Sequence, residues 1–133
     1  MATHRCQTRV RYADTDQGGV VYYANYLAFF EVGRTEMMRA FGASYRELEE
    51  RGFVMPVVEA HVSYHAPASY DDLLEIESEV TEVRRVRMRI DSRVHNAEDG
   101  RLLAQGWVWL ACTEGGKKVV PIPENVLSAL KRE

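Results

Sequence analysis

Arg11-Tyr12-Ala13-Asp14-Thr15-Asp16-Gln17-Gly18-Gly19-Val20-Val21-Tyr22-Tyr23-Ala24-Asn25-Tyr26-Leu27 is the stretch that orders the rest of this 133-residue chain. It reads as the end of a short β-prone segment, Thr8 to Tyr12, followed by turn formers and then the start of a helix. Gly18 and Gly19 permit positive φ and close approach of another group. A helix is expected from about Asn25 to Phe41. Tyr26, Phe29, Phe30, Gly33, Met37, Ala40 and Phe41 fall on one stripe, and Glu31, Thr35 and Arg39 lie opposite. Within that stripe Gly33 leaves room for a sheet to come close. Gly42 is a natural stop.

Downstream, Ser44 to Arg51 is expected as a second short helix, with Ser44 and Glu47 spaced as a capping box. From Phe53 the period changes to two. Val54 to Tyr64 reads as one strand, with Pro56 demoting its start to an edge or bulge. Leu74, Ile76, Ser78 and Val80 alternate with glutamates, and Val86, Met88, Ile90, Ser92 and Val94 alternate with Arg87, Arg89, Asp91 and Arg93. Asp99-Gly100 marks a hairpin turn. Leu102 to Cys112 is apolar on both faces, like a central strand. Gly115-Gly116 makes another turn, and Pro123 and Asn125 open a short helix carrying Val126, Leu127 and Leu130. The order predicts one α+β domain spanning 1–133, with a mostly antiparallel sheet of about five strands wrapped around one long helix.

The net charge of −3 gives no long-range attraction to nucleic acid or anionic lipid. Cys6 and Cys112 lie far apart in no motif and read as reduced, packed thiols. The start, Met1-Ala2-Thr3-His4-Arg5, is not followed by an apolar run, so no signal peptide is expected. No segment approaches the apolar length of a membrane span. A cytoplasmic protein is the expectation.

The chemistry is expected in the opening segment. A helix start leaves N–H groups free and carries partial positive charge. A thioester carbonyl placed there is polarised and its oxyanion stabilised. A carboxylate on the other side either attacks the carbonyl or deprotonates a water. Read from the residues alone, Asp and Gly before a helix serve equally well as caps and turns.

Asp14-Thr15-Asp16, then Gly19 through Leu27, then Glu31 and Arg34, resembles the signature of the 4-hydroxybenzoyl-CoA thioesterase family. The likeness is strongest to its acyl-CoA thioesterase branch, often associated with the Tol-Pal system. It continues through Tyr64-His65-Ala66-Pro67-Ala68-Ser69-Tyr70-Asp71-Asp72 and Pro121-Ile122-Pro123. The resemblance implies a hot-dog fold, hydrolysis of an acyl- or aroyl-CoA thioester and no cofactor. It implies a homodimer with sheets continuing edge to edge, the active sites between subunits, and assembly onward to a tetramer. The family's catalytic aspartate falls on Asp16, and the residue whose N–H polarises the carbonyl falls on Tyr23. Many members of the acyl-CoA branch carry His there, whereas an aromatic is similar to the aroyl-CoA members, so both substrate classes stay open. Gly18, Gly19, Val20, Tyr22 and Asn25, around the helix start, are the expected substrate-binding wall.

Other residues carry plainer expectations. Asp14 should serve the turn. Glu31 and Arg34, one helical turn apart, read as a structural ion pair. His61 and His65 share a strand face if the strand is regular; two imidazoles alone are a poor metal site, and His61 is a candidate for the pocket wall. Arg87 and Arg89 are expected to pair with Glu75, Glu77 and Glu79 across strands. Arg84 and Arg85, near a turn, are candidates for the phosphates of coenzyme A. A non-catalytic acyl-CoA or acyl-carrier binding module has no need of Asp16. A hot-dog dehydratase calls for a histidine near the helix, and none lies between residues 5 and 60.

Overall fold

The computed structural model describes residues 1–131. In chain order the elements are β1 (Thr3–Arg9), a 3-10 turn (Tyr12–Asp14), α1 (Asn25–Ala40), α2 (Tyr45–Glu50), β2 (Phe53–Val54), β3 (Val57–Tyr64), β4 (Leu73–Val83), β5 (Arg87–Asn96), β6 (Leu102–Ala111), β7 (Thr113–Glu114), β8 (Lys118–Val119) and α3 (Glu124–Leu130). Five strands form one antiparallel sheet in the order β1-β4-β5-β6-β3. α1 lies along its inner face, as expected of a hot-dog α+β domain.

Close packing of α1 depends on Gly33. A Cβ there would sit 2.5 Å from both Ile76 Cγ2 and Ser78 Oγ. That contact fixes the inner rows. Ile76, Ser78 and Val80 of β4 face α1, in register with Val94, Ser92 and Ile90 of β5, and these continue to Ala104, Gly106 and Val108 of β6. The core has two halves. Tyr26, Phe29 and Phe30 pack on Leu74, Ile76 and Val94, while Met37 and Met38 pack on Val80, Met88, Leu110 and α3. Ala40, expected in the stripe, is exposed, and Met38 takes its place. The second half also ties down the first strand: Ala2 N–H donates to Leu130 O at 2.8 Å, and Val80 N–H to Ala2 O at 2.9 Å.

Three expectations need correction. The first strand runs Thr3–Arg9, and Tyr12 falls in the 3-10 turn. Val54 to Tyr64 is not one strand: it breaks at Met55-Pro56, and β2 pairs with β7 in a separate three-stranded sheet while β3 pairs with β6. Proline has no N–H for a ladder; Pro56 serves only as acceptor, its O taking the Ala111 N–H at 3.1 Å.

The basic strand also pairs differently from expectation. The β4–β5 register sets Arg93, not Arg87 or Arg89, opposite Glu77. Glu77 is clasped between Arg93 and Arg5 of β1, whose Nη2 lies 2.7 Å from Glu77 Oε2. Arg89 bonds Asp91 and lies over Trp107, and Arg87 lies over Trp109. The tight turn at Arg84 and Arg85 shifts each arginine past the glutamate it was expected to meet.

Candidate active site

Residues 14 to 22 close into a miniature hairpin. Tyr22 N–H donates to Asp14 O at 2.9 Å, Thr15 bridges Val21, and Asp16 N–H donates to Val20 O at 2.9 Å. Gly19, at φ 85°, makes the turn. A Cβ on Gly18 would press to 3.1 Å from Asp16 Oδ1, so a bare α-carbon leaves this carboxylate its space. The hairpin is stitched to the body through Val21 N–H to Ala68 O at 2.8 Å and a bridge between Val20 and Ser69.

The two acids of this loop divide their work. Asp14 is buried and framework-bound. Its carboxylate accepts from Arg11 N at 2.8 Å and from the Arg11 guanidinium, and its carbonyl accepts from Asn25 Nδ2 at 2.8 Å. It serves the turn, as expected. Asp16 is exposed; its Oδ1 accepts from Gly18 N at 2.8 Å, and among the described residues Oδ2 has no partner. This carboxylate is both fixed and available.

Beside it, α1 begins without a side-chain cap. Asn25 N–H donates to Tyr22 O and Tyr26 N–H to Tyr23 O, but among the described residues neither Tyr23 N–H nor Ala24 N–H has an acceptor. Two donors thus stand open at the positive end of a 16-residue helix. The Asn25 side chain, expected on the substrate wall, spends its amide on Asp14 and holds the helix start to the loop.

Aromatic rings surround this opening. Tyr22 and Tyr23 lie 4.6 Å apart, Tyr23 meets Tyr64 edge-on at 6.4 Å, and Tyr12 stacks on Tyr70 at 3.8 Å. A hydrogen bond to the Tyr23 phenol raises the Tyr22 pKa above its ordinary value. Tyr64 Oη donates to Tyr23 O at 2.9 Å, a link between β3 and the helix start that sequence reading missed. The two residues are 41 apart, so no local pattern marks it.

Gly18, Gly19, Val20, Tyr22, Tyr23 and Asn25 are brought together with Asp16; His61, Arg84 and Arg85 are not. His61 stacks on Trp107 at 4.3 Å and contacts Ser63 Oγ at 3.1 Å, on the outer face of the sheet, away from α1. His65 lies beyond the end of β3, so the pair does not share a regular strand. Arg84 and Arg85 occupy the β4–β5 turn, at the end of the sheet opposite the loop. Arg84 pairs with Glu82 at 2.7 Å and lies 5.0 Å over Trp109. Among the described residues no group of three or more His, Cys, Asp or Glu could hold a metal ion, and no helix is long and apolar enough to cross a membrane.

Residues 10–130 match the family model described as the thioesterase-like superfamily. The chain is 39% identical over 129 residues, 96% of either chain, to the acyl-CoA thioester hydrolase YbgC of Escherichia coli. It is 32% identical over 128 residues, 95% of this chain and 93% of the other, to the 1,4-dihydroxy-2-naphthoyl-CoA hydrolase of Synechococcus elongatus. The crystal structure of a 1,4-dihydroxy-2-naphthoyl-CoA thioesterase from Synechocystis superposes with a TM-score of 0.89 at 27% identity, covering 96% of this chain and 95% of that one.

Proposed function

Since the chain belongs to the thioesterase-like superfamily, we propose that it is an acyl-CoA thioesterase that hydrolyses an acyl- or aroyl-CoA thioester at the opening between Asp16 and the start of α1. The observation that carries this reading is the pairing of an exposed, unshared carboxylate oxygen on Asp16 with two open N–H groups at a helix N-terminus. The thioester oxygen lies against Tyr23 N–H, where charge developing on it is stabilised. From the other side Asp16 attacks the carbonyl carbon, or takes a proton from the water that does. Either route consumes one water and releases the free acid and coenzyme A as thiol. Gly18, Gly19, Val20 and Tyr22 form the wall around the reacting group.

β3 supports a two-chain site. It is an eight-residue edge strand with Val57 43% and Val58 55% exposed. Such an edge invites pairing. Antiparallel pairing of two β3 strands would place the Val57 end of one sheet beside the Tyr64 end of the other. Val57, Leu110, Met88 and Val83 are successive neighbours across the sheet, so that end carries Arg84 and Arg85. The second copy's turn then approaches the first copy's loop, which gives those arginines a route to the phosphates of coenzyme A.

The test is release of thiol from a panel of acyl- and aroyl-CoA thioesters by the wild type and Asp16→Asn. The variant keeps the shape and should lose turnover by about two orders of magnitude or more. Near-full turnover by Asp16→Asn removes Asp16 from the chemistry.

A further inference from the structure

Tyr64 reaches the proposed donor site from a distant strand. Its hydroxyl donates to Tyr23 O at 2.9 Å, whereas Tyr26 N–H meets the same carbonyl only at 3.4 Å. The phenol is therefore the stronger of the two partners. The nearby Tyr23 phenol takes no part in this bond, because it is engaged with Tyr22. Tyr64 itself is held firmly. It ends β3 opposite Ala104 of β6, and the next N–H, that of His65, donates to Leu103 O at 2.8 Å. Its ring meets those of Tyr23 and Tyr26 edge-on, with centroids 6.4 Å and 5.6 Å away. The sheet thus keeps a hydroxyl at a fixed place beside the helix start.

The place of that carbonyl in the chain gives the bond its meaning. Tyr23 C=O lies between the Tyr23 and Ala24 N–H groups, the two open donors. In a trans peptide the C=O and the following N–H point in opposite directions. A carbonyl turned toward Tyr64 therefore turns the Ala24 N–H away from Tyr64. It also keeps the negative end of the carbonyl out of the space where an oxyanion forms. No side-chain cap at the start of α1 supplies such a hold. The bond acts through the peptide as well: hydrogen bonds in series polarise one another, so an N–H whose own carbonyl is bonded donates more strongly. The other tethers of this segment fall elsewhere, with Asn25 Nδ2 on Asp14 O and Val21 N–H on Ala68 O.

We infer that, on the reading that thioester hydrolysis occurs at the α1 start, Tyr64 is a positioning residue for that reaction: its hydroxyl grips the carbonyl between the two donor N–H groups and keeps both aimed at the thioester oxygen. It touches no reacting atom itself. A misdirected donor costs most when the charge on that oxygen is greatest, so the hydroxyl acts on kcat more than on KM. The bond lies on the α1 side of β3, off the backbone ladder, so pairing of β3 with a second copy leaves it in place.

The experiment compares wild type, Tyr64→Phe, Asp16→Asn and the Asp16→Asn/Tyr64→Phe double variant, using octanoyl-CoA and benzoyl-CoA isotopically labelled at the carbonyl carbon. Phenylalanine keeps the ring and removes only the donor. The kcat of Tyr64→Phe should fall by about tenfold with KM little changed. On Asp16→Asn, which binds thioester without turning it over, infrared difference spectra should place the bound carbonyl stretch below that of the free thioester. Adding Tyr64→Phe should return the band part of the way, a shift that a merely structural hydroxyl would not produce. A kcat close to that of wild type, or a band that stays put, overturns the inference while the thioesterase reading stands. So does a loss of activity that comes with loss of the fold in circular dichroism or of the dimer in sedimentation. A carbonyl band in Asp16→Asn unshifted from free thioester, or a wild type that hydrolyses neither substrate, instead removes the reading on which the inference rests.

Discussion

Replacing Gly33 by alanine sets two opposed effects against each other. In an exposed helix interior the change stabilises by about 0.5–1 kcal/mol, because glycine loses more backbone entropy on folding. Here the added Cβ meets Ile76 Cγ2 and Ser78 Oγ, both at 2.5 Å. Non-bonded carbons rest at about 3.5–4 Å, so about 1 Å of separation must be found. Neither side yields easily: Ile76 is fully buried in the core, and α1 also packs on β1 and β5. Overpacking of this kind costs about 1–3 kcal/mol. The net expectation is a loss of about 1–2 kcal/mol, or a fall of about 3–12 °C in Tm for a domain of this size. Urea titration followed at 222 nm measures the first quantity and a thermal scan the second. Ser78→Ala, placed on the Gly33→Ala background, should recover part of the loss by removing one obstructing atom. A Gly33→Ala protein as stable as the wild type, or more so, refutes the close approach of α1 to β4.

Three further outcomes are expected. Tyr23→Phe should keep substantial thioesterase activity because the polarising donor is backbone, while a folded Tyr23→Pro should be inactive; equal inactivity of Tyr23→Phe and Asp16→Asn would make the phenol the acid. Glu77 is held below its ordinary value of 4.5, chiefly by hydrogen bonding to Arg93. A depressed folded value means that its stabilisation is present above 4.5 and is lost as pH falls through the lower folded value. Urea midpoints of wild type and Glu77→Gln should therefore converge as the pH drops below the carboxylate range, and a gap that persists there excludes the Arg5–Glu77–Arg93 clasp as its source. Sedimentation at micromolar concentration should show a dimer or a larger assembly of dimers, and a monomer alone would rule out pairing through β3.

The parts legible in the sequence are those whose signals are local. α1 was readable because its apolar residues repeat at 3.6 and a glycine ends it. The Asp16 loop was readable because its glycines, its acid and the helix start are contiguous. β1 was not, because its inward residues are His4, Cys6 and Thr8, which give no apolar alternation; its register is set by β4. The β2–β3 break was only half legible. Pro56 signalled an interruption, but the two pieces find partners in β7 and β6, forty or more residues away. The arginine partners were misread because one residue of turn geometry moves every cross-strand pair. Arg34 read as the partner of Glu31 because the two stand one helical turn apart, and the structure pairs them at 3.9 Å.

The hydrogen bond between Ala2 and Leu130 makes the two ends of the described chain neighbours, inside the half of the core that lies away from the Asp16 loop. Sequence order and spatial order are therefore separable in this domain. A short linker can close the old ends, and the Gly115-Gly116 turn, exposed and already at positive φ, offers a place to open new ones. In such a circular permutant the hairpin of residues 14 to 22 and the start of α1 stay on one uninterrupted stretch of chain. The joint falls beside α3 and β4, so connectivity can be rewired at one pole while the other is left to the chemistry.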